Sequence, residues 1–142
     1  MPLYIYSGKI IQNYPLGLGI TAEIDNNKII FKPENKDDDV YNVLSAGQLN
    51  GLAVSILMAV HDIYGASCGL NLIMIDDPLQ TIDEISSISF ADLLSEQLEN
   101  GQVFISTHEE QKSMLLQYKF QQKGHFVDSI NMQSRYLEEH IN

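Results

Sequence analysis

The sequence predicts an α/β fold with parallel strands flanked by helices. Two short apolar segments, residues 70–75 and 102–106, are separated by a helical pattern, an order that is typical of strands in a parallel sheet. An antiparallel hairpin is predicted nearer the amino terminus, with strands over 20–24 and 28–31 joined by an Asp-Asn-Asn turn. Because crossovers between parallel strands are right-handed, this succession favours a layered α/β arrangement.

The clearest single element is a long helix that begins after Ser45. Its apolar residues recur three and four positions apart, as on one face of a helix: Leu49, Leu52, Ala53, Ile56, Val60, Ile63 and Tyr64. Ser45 and Gln48 have the spacing of a capping box, and Gly65 supplies a stop. Further apolar residues widen the stripe, so we expect this helix to be buried on more than one side.

The remaining segments have weaker patterns. Residues 3–14 are compatible with either a helix or two short strands. We expect a second helix over 90–98, a third from a capping box at Thr107 and Glu110 to about residue 120, and an edge strand within 124–132 before a polar terminal helix.

Composition limits the classes of protein to which the chain can belong. With 142 residues it is most simply one domain, and its net charge of −11 makes it by itself a poor ligand for nucleic-acid phosphates. Cys68 is the only cysteine, which excludes an internal disulfide and suits a reducing cytoplasm. The longest near-apolar run, residues 52–60, is too short to cross a bilayer, so no contact with a membrane is expected.

Candidate chemistry lies where the predicted strands end. Asp76 and Asp77 follow an apolar strand, where one carboxylate could hold Mg²⁺ and the other could orient a water molecule, although Asp-Asp-Pro is also ordinary turn chemistry. His108 follows the next strand and could contact a phosphate or water, or could simply be a polar surface residue. Ser45 and Gly47 open the long helix, where a phosphate could bind, although a capping role alone explains the serine.

Four of these segments together resemble the motifs of one family, and they occur in that family's order. LSAGQ at 44–48 resembles the signature motif of ABC-type ATPases, and LIMIDD at 72–77 resembles their Walker B strand with its adjacent catalytic acid. QTID at 80–83 is similar to the D-loop, and ISTH at 105–108 is similar to the segment that carries the switch histidine. The coiled-coil branch of the family, the SMC and DNA double-strand-break repair ATPases, is the most similar.

The resemblance implies a set of roles for the residues that match. In such a protein Asp76 would hold Mg²⁺, Asp77 would position or activate the attacking water, and His108 would sense the γ-phosphate of ATP. Asp83 would communicate across a dimer of heads. The signature residues Ser45, Gly47 and Gln48 would contact ATP bound to an opposing head.

Three features of the chain depart from the family pattern. Ala46 stands where the signature more often has glycine, and Asp77 stands where most members have glutamate, whose side chain is one methylene longer. No Walker A loop or Q-loop is found. The resemblance therefore implies the carboxy-terminal lobe of an ATPase head, a three-layer half-domain like those of P-loop NTPases, with a lead-in over residues 1–43 and the motifs in 44–142.

Such a lobe would need partners in order to act. We expect it to use ATP and Mg²⁺ only with an amino-terminal Walker A lobe, on the same or a separate chain, to form head-to-head dimers, and to act on DNA only through the full assembly. The isolated chain is expected to have negligible ATPase activity. Two alternatives remain open: a metal-dependent hydrolase that uses Asp76, Asp77 and His108, and a non-catalytic remnant that regulates an intact head.

Overall fold

The computed structural model describes residues 1–13, 18–65, 69, 71–97 and 101–141, with side chains up to residue 136. In chain order the elements are α1 (Pro2–Ile11), β1 (Ile20–Asp25), β2 (Lys28–Pro33), α2 (Val40–Val43), α3 (Ala46–Tyr64), β3 (Leu72–Asp76), α4 (Glu84–Gln97), β4 (Gln102–Ser106), α5 (Glu110–Gln122) and α6 (Met132–Ile141). None of the described helices is both long and apolar enough to cross a membrane. The mixed α/β fold predicted from the sequence is confirmed.

The amino-terminal segment, which the sequence left open, is the helix α1. Pro2 stands in its first turn, where the missing N–H costs nothing. Tyr6 and Ile10 are buried in the main hydrophobic core together with residues of α3 and α4. Gly51 of α3 faces Ile10, and a Cβ added to it would lie 3.1 Å from the Cγ2 atom of that isoleucine.

The predicted hairpin is confirmed, and its turn has a clear backbone cause. Strands β1 and β2 pair antiparallel, with Asp25 opposite Lys28 at the closed end. Asn26 and Asn27 form the two-residue loop, and their φ angles are 47° and 67°. A type I′ turn needs two positive φ angles, and asparagine adopts them more readily than most residues.

The parallel pair β3–β4 is covered on one face only. Ile73 is buried in the core, and its partner Val103 packs against the same cluster. On the other face Met74 lies opposite Phe104, and these side chains are 70% and 50% exposed. Apolar segments such as 70–75 and 102–106 are typical of parallel strands that are buried on both faces. That expectation is wrong for the described chain, because no described element covers the outer face.

Helix α4 begins six residues earlier than the predicted helix. Asp83 precedes it and accepts a hydrogen bond from the N–H of Ser86 at 2.9 Å, as an N-cap residue does. The first turn and the buried side of α4 carry serines, which obscure the apolar period. Ser87 and Ser95 are buried, and their hydroxyls donate to the carbonyls of Asp83 and Asp92.

Helix α5 and the tail differ from prediction in two details. The Thr107–Glu110 capping box does not form, because Glu109 is the N-cap residue and the Thr107 hydroxyl instead accepts a hydrogen bond from the Glu109 N–H at 3.2 Å. Residues 125–131 pair with no strand, so the edge strand prediction is wrong. The terminal helix is present as α6, where the Asn131 side chain accepts hydrogen bonds from the first turn.

Candidate functional site

The candidate site is built where β3 and β4 end side by side. Asp76 and Ser106 are the last paired residues of the two strands. The Ser106 hydroxyl donates a short hydrogen bond to the Asp76 carboxylate. The backbone N–H of Asp77 donates to the Ser106 carbonyl at 3.0 Å, which extends the pairing by one bond. These bonds to Ser106 fix the side chain of Asp76 and the backbone of Asp77 at the end of the strand pair.

Asp77 leaves the strand in a left-handed backbone conformation, with φ of 45°. Its carboxylate contacts His108, with Oδ2 lying 2.5 Å from the imidazole Nδ1. The aspartate side chain is 21% exposed and the histidine 61%. Its second oxygen, Oδ1, is buried without a hydrogen-bond partner among the described residues. A buried acceptor is normally paired with a hydrogen-bond donor or a cation, so this oxygen can accept one.

The signature-like residues form the start of α3. Ser45 and Gln48 make a reciprocal capping box, in which the Ser45 hydroxyl accepts from the Gln48 N–H at 3.3 Å and the Gln48 side chain accepts from the Ser45 N–H at 3.0 Å. The capping box predicted here is therefore confirmed. The side chains of Ser45 and Gln48 are therefore engaged with each other's backbone. A ligand at this helix start would meet the remaining backbone N–H groups and the positive end of the helix dipole.

Gly47 packs against the loop that follows the paired acids. A Cβ added to it would lie 2.4 Å from the Thr81 carbonyl oxygen, a separation that real side chains do not tolerate. Asn50, one turn further along α3, donates to the Pro78 carbonyl at 3.2 Å and to the Thr81 hydroxyl at 3.3 Å. Asn50 was not predicted from the sequence, and its only signal is an amide in an otherwise apolar helical run.

Asp83 ends the same loop as the N-cap residue of α4. Its carboxylate accepts hydrogen bonds from the Ser86 N–H at 2.9 Å and from the Ser86 hydroxyl at 2.7 Å. The Ser86 N–H lowers the pKa of the Asp83 carboxyl from its ordinary value, and desolvation opposes it. The structure accounts for this aspartate locally, and its predicted role across a dimer stays a prediction.

The described residues bring together only some of the predicted site. Asp76, Asp77 and His108 meet at the ends of β3 and β4, whereas Ser45, Gly47 and Gln48 lie at the start of α3. Of these three, Gly47 packs against the 78–81 loop, which Asn50 of the same helix also contacts. Among the described residues no three His, Cys, Asp or Glu side chains are grouped to hold a metal ion. The exposed carboxylate of Asp76 nevertheless fits a cation such as Mg²⁺, which takes one or two carboxylates and completes its shell from phosphates and water.

Comparison with known proteins shows similarity at the level of structure only. No protein-family model and no curated protein sequence matches the chain. A solved chain from a structural study of ATP-driven dimerization and DNA-stimulated activation of SMC ATPases matches with a TM-score of 0.56 and 17% identity, over 99% of this chain and 92% of that one.

A second solved structure, an SMC head domain from Thermotoga maritima, matches with a TM-score of 0.51 and 18% identity. The match covers 83% of this chain but only 40% of that domain. The fold of the chain is therefore that found in SMC ATPase heads.

Proposed function

We propose that this chain forms half of an ATP-binding and ATP-hydrolysing site in an SMC-like ATPase of DNA repair or DNA maintenance. The observation that carries the proposal is the contact between Asp77 and His108 at the ends of two parallel strands. Ligand sites in open α/β sheets form at the carboxyl ends of strands, where both side chains stand. The structural similarity to SMC heads supports the same choice of chemistry.

Asp76 and Asp77 would have different roles at this site. Asp76 is exposed and anchored by Ser106, so it would hold Mg²⁺, which supplies neutralisation of phosphate charge when bound. Asp77 has one oxygen, Oδ1, without a hydrogen-bond partner among the described residues, and this oxygen would orient the attacking water. It would accept a proton of that water as the water oxygen bonds to the γ-phosphorus and the bond from that phosphorus to the ADP oxygen breaks. His108, through its exposed ring, would meet the γ-phosphate while Nδ1 keeps Asp77 in place.

The helix start at Ser45, Gly47 and Gln48 would act on ATP bound to an opposing head. Because the two side chains of the capping box are already engaged with backbone N–H groups, the backbone at the positive end of α3 is the better phosphate ligand. This geometry supports a head-to-head dimer in which each signature segment closes the other head's site. DNA would be contacted only by the full assembly, since this chain carries a charge of −11.

The site is incomplete without an amino-terminal Walker A lobe. Met74 and Phe104 form an exposed apolar pair on the outer sheet face, and the strand alternation places Asp76 and Ser106 on that same face. Contiguous exposed apolar surface is a feature of sites where proteins associate. The match to the Thermotoga maritima head leaves more than half of that domain uncovered. Both observations support a missing lobe that packs beside Asp76.

A two-part experiment tests this proposal. The purified chain should show negligible Mg-ATP turnover, and turnover that Asp77→Ala abolishes would refute the idea of an incomplete site. The intact protein from its natural host should either be several times larger than 16 kDa or bind a separate chain that carries a Walker A loop. ATPase activity of that assembly should fall at least a hundredfold, on the order expected for loss of such a group, in Asp77→Asn.

A matched pair of variants tests whether the Walker A lobe packs on the outer sheet face that carries Met74 and Phe104. Met74→Glu should block assembly with the Walker A lobe while leaving the isolated fold intact, because Met74 is exposed in this chain. Met114→Glu, at a similarly exposed methionine on α5, should assemble normally. Normal assembly of Met74→Glu would exclude this face as the contact with the missing lobe.

A further inference from the structure

The loop of residues 77–83 is held at its middle by the helix that follows Ser45. Asn50 donates to the Pro78 carbonyl and to the Thr81 hydroxyl, and the Thr81 carbonyl packs against the bare backbone of Gly47. These contacts join the first turns of α3 to the loop directly. A shift of the loop at Thr81 therefore requires either the loss of two hydrogen bonds or a matching shift of α3.

The same loop is held at both ends by the last residue of β4 and the segment that follows it. At its start, Asp77 donates its N–H to Ser106 and contacts His108. At its end, the Lys112 ammonium donates to the Ile82 carbonyl at 3.1 Å and to the Ser87 hydroxyl at 2.7 Å. Hydrogen bonds to a charged donor are roughly twice as strong as neutral ones.

Lys112 follows His108 closely along the chain, so its hydrogen bonds connect the His108 turn to the end of the loop. Helix α5 begins at Glu110, two residues after His108, and Lys112 lies in its first turn. Ser87 continues the network, because its hydroxyl donates to the Asp83 carbonyl at 2.7 Å. A displacement of the His108 turn would thus reach the Ile82 end of the loop through a rigid helical turn and two hydrogen bonds.

We infer that Asn50 and Lys112 are positioning residues that clamp the 77–83 loop between the starts of α3 and α5. The clamp makes the helix start at Ser45, the loop and the His108 turn move as one unit. The mechanistic part of this inference rests on the proposed function, because the clamp would couple the phosphate-facing end of α3 to Asp77. Neither residue touches a reacting atom, and each acts through the backbone that it holds.

The test uses the isolated chain and requires no ATPase activity. In Lys112→Met, hydrogen exchange at the Ile82 amide, which donates to the Leu79 carbonyl, should quicken by about tenfold or more as the clamp opens. Amide resonances should shift both at Gly47 and at Asp77, neither of which Lys112 contacts in the structure. Lys112→Arg, which retains the charged donor, should restore most of both signals.

Two controls separate this coupling from general destabilisation. Lys119→Met removes an α5 lysine that pairs with Asp92, and it should leave the Gly47 and Asp77 resonances unchanged. Asn50→Ala should disturb the loop from its other anchor, and its effect on unfolding should be non-additive with that of Lys112→Met. Additive effects, or shifts confined to the neighbours of Lys112, would overturn the clamp. These outcomes are independent of whether any assembly hydrolyses ATP, and Asn50→Ala carries the same test if Lys112→Met does not fold.

Discussion

The Nδ1 atom of His108 lies 2.5 Å from the Oδ2 atom of Asp77, and the contact depends on an unusual backbone at the aspartate. Asp76 ends β3 in regular pairing with Ser106, whereas Asp77 turns out of the strand with φ of 45°. Aspartate and asparagine adopt this left-handed region more readily than longer side chains do. The backbone thus gives a physical reason for aspartate, rather than glutamate, at this position.

Substitutions at Asp77 should therefore separate backbone strain from loss of the carboxylate. Asp77→Ala and Asp77→Gly both remove the contact with His108, but only alanine keeps a Cβ in the left-handed region. We expect Asp77→Gly to be more stable than Asp77→Ala by about 1–2 kcal/mol in urea unfolding.

Asp76 supplies the matched control, because it lies in the regular strand β3. At position 76 the glycine variant should be less stable to unfolding than the alanine variant, by about 0.5–1 kcal/mol. Equal stability of the glycine and alanine variants at position 77 would contradict the strained backbone.

A second prediction concerns the close packing of Gly47 on the loop. Gly47→Ala would place a Cβ 2.4 Å from the backbone oxygen of Thr81, which cannot rotate away as a side chain could. We expect a loss of stability of about 1–3 kcal/mol from overpacking, despite the better helix propensity of alanine. Chemical denaturation of the isolated chain measures this.

Gly51→Ala is the control for that prediction on the same helix. Its added Cβ would meet the Cγ2 methyl of Ile10 at 3.1 Å, a side-chain contact that small adjustments relieve. Its cost should be clearly smaller than that of Gly47→Ala. If Gly47→Ala is as stable as the parent chain, then Thr81 does not pack on this helix start.

Much of this arrangement could be predicted because local chemistry determines it. The Ser45–Gln48 box and the two-asparagine turn depend on neighbours in sequence, and each is confirmed. Asp76, Asp77 and His108 could be placed together because parallel strands bring their carboxyl ends to one edge.

The errors come from tertiary context that a single sequence does not carry. The buried serines of α4 find carbonyl partners within their own helix, so apolar periodicity alone misses its first six residues. Met74 and Phe104 look like core residues in the sequence, yet they are exposed in the described chain. Asn50 and Lys112 bind loop backbone, which has no signature in the sequence.

A third prediction tests the local role of Asp83. Asp83→Ala removes the acceptor for the Ser86 N–H at the start of α4 and should cost about 1 kcal/mol of stability. The pKa of Asp83 is lowered in the folded chain, so its contribution is complete above the unfolded pKa near 4 and is lost as pH falls through the folded value.

The difference in unfolding free energy between the parent and Asp83→Ala should therefore be full at pH 7 and shrink below about pH 4. Asp83→Asn, which keeps a capping oxygen, should retain most of the stability at pH 7. An undiminished difference at pH 2–3, on the order of that at neutral pH, would assign the cost to something other than the ionised cap.

The last prediction concerns Tyr6, which anchors α1 in the core and donates a hydrogen bond to Asp62 at 3.2 Å. Burial and the neighbouring Asp62 carboxylate raise the pKa of Tyr6 to about 12. The folded chain therefore holds this proton more tightly than the unfolded chain, whose tyrosines titrate near 10. The stabilising effect is complete below pH 10 and is lost as pH rises towards 12.

Tyr6→Phe should therefore lower stability by about 1 kcal/mol at neutral pH, through the lost hydrogen bond, and should also flatten the decline between pH 10 and 12. Urea unfolding of both chains at a series of alkaline pH values measures the two slopes, and tyrosinate absorbance follows the titration itself. Tyr118→Phe, at an exposed tyrosine of α5, provides the control and should leave the slope unchanged. Identical slopes in the parent and Tyr6→Phe would contradict the raised pKa, because the difference in proton affinity between folded and unfolded chains is what produces the slope.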